Sequence, residues 1–257
     1  MEKISKDEEY QTGIKIQDFP SKGRVSRIKG RTTGRLHHLL SDLETNVFYL
    51  LDYDEKVTDI KEHYPLLDLM DINVDLDNVD LKKFKNKKTG EQYMFTTSFV
   101  VTLKDINSER YLAITVKNES QLYKSTTLEK LEVERRYWSK KEIDWCIVTN
   151  KDIVIEKVEN IKWLLLGNGD EGIEHENIIM DLIKDTIITN SNIRISKMLS
   201  NIGKVLNINE AIILSVFKKL IANGKLITDL DKKILLTDEL IRFKFKEGDS
   251  IERCINA

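Results

Sequence analysis

Thr115 and Lys117 stand two apart in the run Ala113-Ile114-Thr115-Val116-Lys117, and Glu62 lies in an earlier alternating run, Val57 to Tyr64. An acid on one strand, with a residue pair ending in lysine on another, outlines a metal-assisted phosphodiester hydrolysis site. Such sites hold divalent ions between carboxylates about 4 Å apart and keep a lysine near the attacking water. The two-residue period of a strand puts Tyr111, Ala113, Thr115 and Lys117 on one face, opposite Leu112, Ile114 and Val116. The spacing alone is weakly specific, because any strand ending in lysine gives it. Ile60, Glu62 and Tyr64 read as one face of their strand. A carboxylate there is costly unless it is paired, binds a metal or reaches water at the strand end.

The elements around these residues read as mixed α/β. Ser41-x-x-Glu44 is a capping box opening a helix with Leu43, Val47, Phe48, Leu50 and Leu51 at helical spacing. Tyr93 to Leu103 and Arg110 to Lys117 form a hairpin about the turn Asp105-Ile106-Asn107-Ser108. Thr126-x-x-Glu129 reads as the cap of a charged helix, and Trp145 to Thr149 as a short apolar strand. His37 and His38 precede the first helix. Adjacent histidines point in different directions and no third ligand stands nearby, which gives them a structural reading. The acidic stretch from Leu66 to Asp80 lacks the glycine and terminal glutamate of a calcium loop.

Lys22, Arg24, Arg27, Lys29, Arg31 and Arg35 come within fourteen residues, with Gly23, Gly30 and Gly34 and no acid among them. This loop or hairpin is either solvated surface or a phosphate-backbone contact. Past Gly167-Asn168-Gly169-Asp170 the character changes, which sets the expected domains at 1–166 and 167–257. Helices are expected at 176–188, 193–201 and 208–222, then strands at 225–228 and 233–236. Helices followed by a hairpin describe a winged helix, whose recognition helix would carry only Lys218 and Lys219 as bases. A winged helix used for protein contact explains that helix equally well.

The 257 residues carry 33% charged and 40% hydrophobic side chains and a net charge of −2, so any DNA contact rests on local basic patches. Cys146 and Cys254 support neither a disulfide scaffold nor a zinc cluster. With no signal-like or membrane-length apolar run, a cytoplasmic protein is expected.

Three long stretches resemble the TnsA family, the endonuclease subunits of heteromeric cut-and-paste transposases. They are Gly34-Arg35-Leu36-His37-His38-Leu39-Leu40-Ser41-Asp42-Leu43-Glu44, then Asp59-Ile60-Lys61-Glu62 with Tyr64-Pro65-Leu66-Leu67, then Thr127 to Trp138. The resemblance implies a restriction-endonuclease-like domain followed by a winged-helix-like domain. It implies Mg²⁺-dependent cuts at the 5′ ends of a transposon, beside a DDE-type transposase and an AAA+ ATPase regulator. Carried over by position, the catalytic Glu is Glu62 and the lysine is Lys117. The family's Asp falls on Ser98 and its Gln on Thr115. Ser98 and Thr115 thus bring hydroxyls where an acid and an amide are expected, and a hydroxyl is a poor Mg²⁺ ligand beside a carboxylate. Glu119, two beyond Lys117, is the nearest candidate for a relocated carboxylate; Asp105, in the turn, is another, and a partner subunit could supply an acid instead.

Overall fold

Residues favouring extended backbone run from Tyr111 to Val116, and in the computed structural model they form β5 (Glu109–Val116). β3 (Val57–Pro65), β4 (Thr96–Lys104) and β5 pair antiparallel, and β6 (Asp144–Val148) joins β5 in parallel. The order β3-β4-β5-β6 is the expected mixed sheet. A parallel neighbour needs a crossover, which α2 (Ser125–Lys140) supplies. The basic stretch is a separate antiparallel pair, β1 (Ser26–Lys29) with β2 (Leu36–Leu39), and α1 (Asp42–Tyr53) follows it. The structure describes residues 24–166 and 175–246, without 73, 75–76, 78, 86–89, 91–92 and 107.

Ser41 caps α1 as its sequence requires, its Oγ accepting from Glu44 N at 3.1 Å. The reciprocal bond differs from a standard capping box: Glu44 Oε2 accepts from Leu40 N at 2.8 Å, one residue further back. α2 departs from its expected cap. It starts at Ser125 after Lys124, with no side-chain cap bond. Glu129 instead pairs with Lys83 at 2.8 Å, which leaves Thr126 without its reciprocal partner.

Val100 and Ala113 pack against Val133, Tyr137 and Trp138 of α2. Glu62, Phe99 and Ile114 are register partners across three strands and therefore face the other way. The expected sharing of a face by Glu62 and Tyr64 fails at His63. Its φ of 48° is left-handed and resets the alternation. Tyr64 turns onto Trp138, ring centroids 5.6 Å apart, while Glu62 stays on the opposite face.

The chain folds as two compact units, residues 1–153 and 154–257. The second holds α3 (Ile155–Leu165), α4 (Glu176–Thr189), α5 (Ile195–Leu206), α6 (Glu210–Ala222), β7 (Leu226–Ile227) and β8 (Lys244–Phe245). α3 therefore lies in this unit, ahead of the glycine-rich stretch, which is outside the described residues. The expected strand at 233–236 is corrected, since β7 pairs with β8. Residues 233–236 are held in other bonds. Asn160 Oδ1 accepts from Ile234 N at 3.0 Å, Leu236 O accepts from Ser196 N at 2.9 Å, and Leu235 N donates to Asp238. Among the described residues no helix is long and apolar enough to cross a membrane.

Asn160 is the polar pin of this unit. Its Nδ2 donates to Leu230 O at 2.7 Å and to Lys232 O at 2.9 Å, and the residue is 3% exposed. Asn160→Leu leaves two carbonyls and one amide without these partners, so stability should fall by about 2–4 kcal/mol. Urea unfolding should show a lower midpoint with an unchanged slope.

Candidate active site and basic hairpin

Glu62 is 3% exposed and does not reach water freely. Its Oε2 lies 2.7 Å from His37 Nδ1 and its Oε1 accepts from His38 N at 3.2 Å. A carboxylate only accepts, so Nδ1 of His37 carries the proton. The other ring nitrogen lies 2.6 Å from Thr33 Oγ1, and Thr33 Oγ1 accepts from Arg35 N at 3.3 Å. A hydrogen-bonded chain results, joining Arg35 N–H, Thr33, His37 and Glu62. Burial raises the Glu62 carboxyl, but the His37 hydrogen bond and charge and the His38 amide outweigh it, holding the group below the usual carboxylate range. The structural reading of His37 and His38 thus acquires a specific content. They join the hairpin to β3.

The hairpin turn has a second attachment. Asp52, buried near the end of α1, accepts from Arg31 N and Thr32 N, each at 2.8 Å. Gly30 is required where it stands, because an added Cβ would lie 2.7 Å from Thr33 Oγ1 and 3.0 Å from the His37 ring. Among the bases, Arg24, Arg27, Lys29 and Arg31 are exposed, with Arg27 and Lys29 on the outward positions of β1. Arg35 differs: its guanidinium pairs with Asp59 at 2.9 Å and donates to Ile60 O at 2.6 Å, so it fastens the hairpin to β3. Lys22 lies outside the described residues.

Ser98 and Thr115 are engaged elsewhere. Ser98 Oγ accepts from Val116 N at 3.0 Å, standing in for a ladder carbonyl where β4 leaves register with β5. Thr115 Oγ1 donates to Glu134 Oε2 at 2.5 Å and accepts from Trp145 Nε1 at 3.0 Å. Thr97 repeats the pattern, donating to the same Glu134 oxygen at 3.0 Å and accepting from Trp138 Nε1 at 2.8 Å. Two indoles, two hydroxyls and one carboxyl form a closed network between the sheet and α2. Glu134 is the polar group that the strand-pair spacing misses. The available signal was an acid on the apolar stripe of α2, with Leu131 and Trp138.

Lys117 follows β5 directly, and its charge, like that of Lys130, is felt at Glu134. Glu119 turns to the loop after β6: its Oε1 pairs with Lys151 at 2.7 Å and its N donates to Asn150 Oδ1. Asp105 stays in its turn and accepts from Ile106 N. Among the described residues no three His, Cys, Asp or Glu side chains converge as metal ligands. The donor set does not fit a divalent ion. It offers one carboxylate, Glu62, with both oxygens hydrogen-bonded, and hydroxyls that already hold protein partners. Lys218 and Lys219 of α6 are engaged within their own unit, over the Trp163 ring at 4.5 Å and against Glu176 at 2.8 Å.

Burial pushes the Glu134 carboxyl up, against the lowering by Thr115, Lys130, Lys117 and Thr97. A raised carboxyl favours the fold while protonated, and that contribution is lost as pH rises from the ordinary glutamate range through the folded value. Glu134→Gln should therefore gain stability relative to the parent as pH rises from about 4.5 toward neutrality. Urea midpoints across that range check the sign.

The comparisons agree on one relationship for both units. The TnsA-like endonuclease N-terminal family matches residues 54–150, and the TnsA endonuclease C-terminal family matches residues 152–230. The transposon Tn7 transposition protein TnsA of Escherichia coli is 43% identical over 159 residues, which is 61% of this chain. The matched stretch spans 56% of that relative's own length. Glu62 with the hairpin attached to it, and Ser98, Thr115 and Lys117, are therefore features of a chain that belongs to the TnsA family.

Proposed function

We propose that this chain is a DNA transposition subunit that binds duplex at transposon ends without itself cutting it. Its partners are a DDE-type transposase and an AAA+ ATPase regulator, as the family resemblance implies. The observation that carries this reading is that Glu62 is the sole carboxylate at the four carried-over positions, while the Ser98 and Thr115 hydroxyls are engaged by Val116 N and Glu134. Arg24, Arg27, Lys29 and Arg31 are the exposed bases that meet phosphates. The second unit, read as a winged-helix-like domain whose helix lysines are internally paired, serves protein contact.

A second reading, Mg²⁺-dependent 5′ cleavage with an acid lent by a partner subunit, is favoured by the retention of Glu62 and Lys117. Titration calorimetry with Mn²⁺ separates the two. The first reading expects no specific binding to the parent and binding gained in Ser98→Asp. Binding to the parent that vanishes in Glu62→Ala supports the second. For the DNA contact, each of Arg27→Ala, Lys29→Ala and Arg31→Ala should weaken duplex binding and flatten its salt dependence by about one unit of slope.

A further inference from the structure

We propose that Glu62, acting through His37, is the anchor that sets the basic hairpin for duplex binding. This gives a non-catalytic task to the acid that the family resemblance assigns to catalysis, and it rests on the reading of the hairpin as the DNA contact. A two-stranded hairpin is marginally stable on its own, so its shape depends on what holds it to the body. Here β2 is the strand held. His37 and His38 are its middle residues, and they meet both oxygens of Glu62. The backbone carbonyl of His38 also lies 3.0 Å from His63 Nε2, so the left-handed residue after Glu62 belongs to the same attachment.

The outward bases ride on this attachment. In the hairpin register Arg27 pairs with His38 and Lys29 with Leu36, and Ile28 between them pairs with His37. Thr33 continues the chain from His37 into the turn that carries Arg31. His37 is fully buried, its ring 4.7 Å from that of Phe48, so the link cannot slide without opening the core. Charge-assisted bonds between buried groups fix geometry more strictly than exposed pairs. A cationic surface held in its bound shape loses less ordering entropy on meeting a polyanion. The three buried acids Asp52, Asp59 and Glu62 thus hold the hairpin at its turn, at Arg35 and along β2.

Fluorescence anisotropy with a duplex oligonucleotide, in EDTA and over a salt series, tests this. Glu62→Gln keeps the shape, but a carboxamide can accept from only one of the two donors. His37→Phe keeps the ring and loses both of its polar contacts. Each should bind about tenfold more weakly than the parent. Each should also show a salt slope shallower by about one, which a mere fall in stability would not produce. The double variant should be no weaker than the weaker single one, since both break one link. Parent-like affinity and slope in both variants, with the Arg27→Ala loss still present, overturns the anchor alone. Parent-like binding by Arg27→Ala, Lys29→Ala and Arg31→Ala overturns the hairpin reading itself. A rise in the parent's Tm on adding Mn²⁺, absent in Glu62→Gln, makes Glu62 an ion ligand and also overturns the proposal.

Discussion

The contact between His37 and Glu62 joins the two-stranded hairpin to the four-stranded sheet, and much of the first unit follows from keeping it satisfied. An acid this deeply buried is stable only with donors on its oxygens. Supplying them requires β2 to lie along β3, with the His37 ring and the His38 backbone amide turned to Glu62. That placement brings the hairpin turn to the end of α1, where Asp52 receives two backbone amides. It also fixes Gly30, since no side chain fits between Thr33 and the His37 ring.

The other face of the sheet is organised about a second buried acid on different terms. Glu62 is held as an anion by a histidine and an amide. Glu134 is pushed toward its neutral form and satisfied by threonine hydroxyls that are themselves held by indoles. The left-handed backbone at His63 is what lets one strand serve both faces, sending Glu62 one way and Tyr64 the other. Thr115 belongs wholly to the Glu134 side. A residue read as a site position has become part of the packing between α2 and the sheet.

The four strands of the mixed sheet, the turn at 105–108 and the Ser41 cap were legible because periodicity and turn chemistry are local properties. The misplaced elements are those decided by distant partners. Thr126 and Glu129 have the spacing of a capping box, yet Lys83 claims the glutamate. Residues 233–236 have the composition of a strand, yet Asn160 and Ser196 take their backbone groups, and pairing passes to Lys244 and Phe245. At the candidate site, the need of Glu62 for a partner was legible from a carboxylate on an apolar strand face. The partners of Ser98 and Thr115 were not, because a hydroxyl's bond depends on which strand or helix is brought beside it.

The parallel pairing of β6 with β5 sets an order of assembly. β4 and β5 meet by closing one tight turn, whereas β6 reaches β5 only after the chain has traversed α2. Closing the longer loop costs more chain entropy, so the antiparallel pair is the earlier contact and β6 the later one. Trp145 enters with β6 and donates to Thr115. Thr115 and Thr97, on β5 and β4, can therefore meet Glu134 before β6 docks, and the docking strand adds the Trp145 donor to Thr115. The late fastening of the seam beneath α2 is thus its indole at β6, whereas the Thr115–Glu134 bond spans 19 residues of chain against 25 for the His37–Glu62 link.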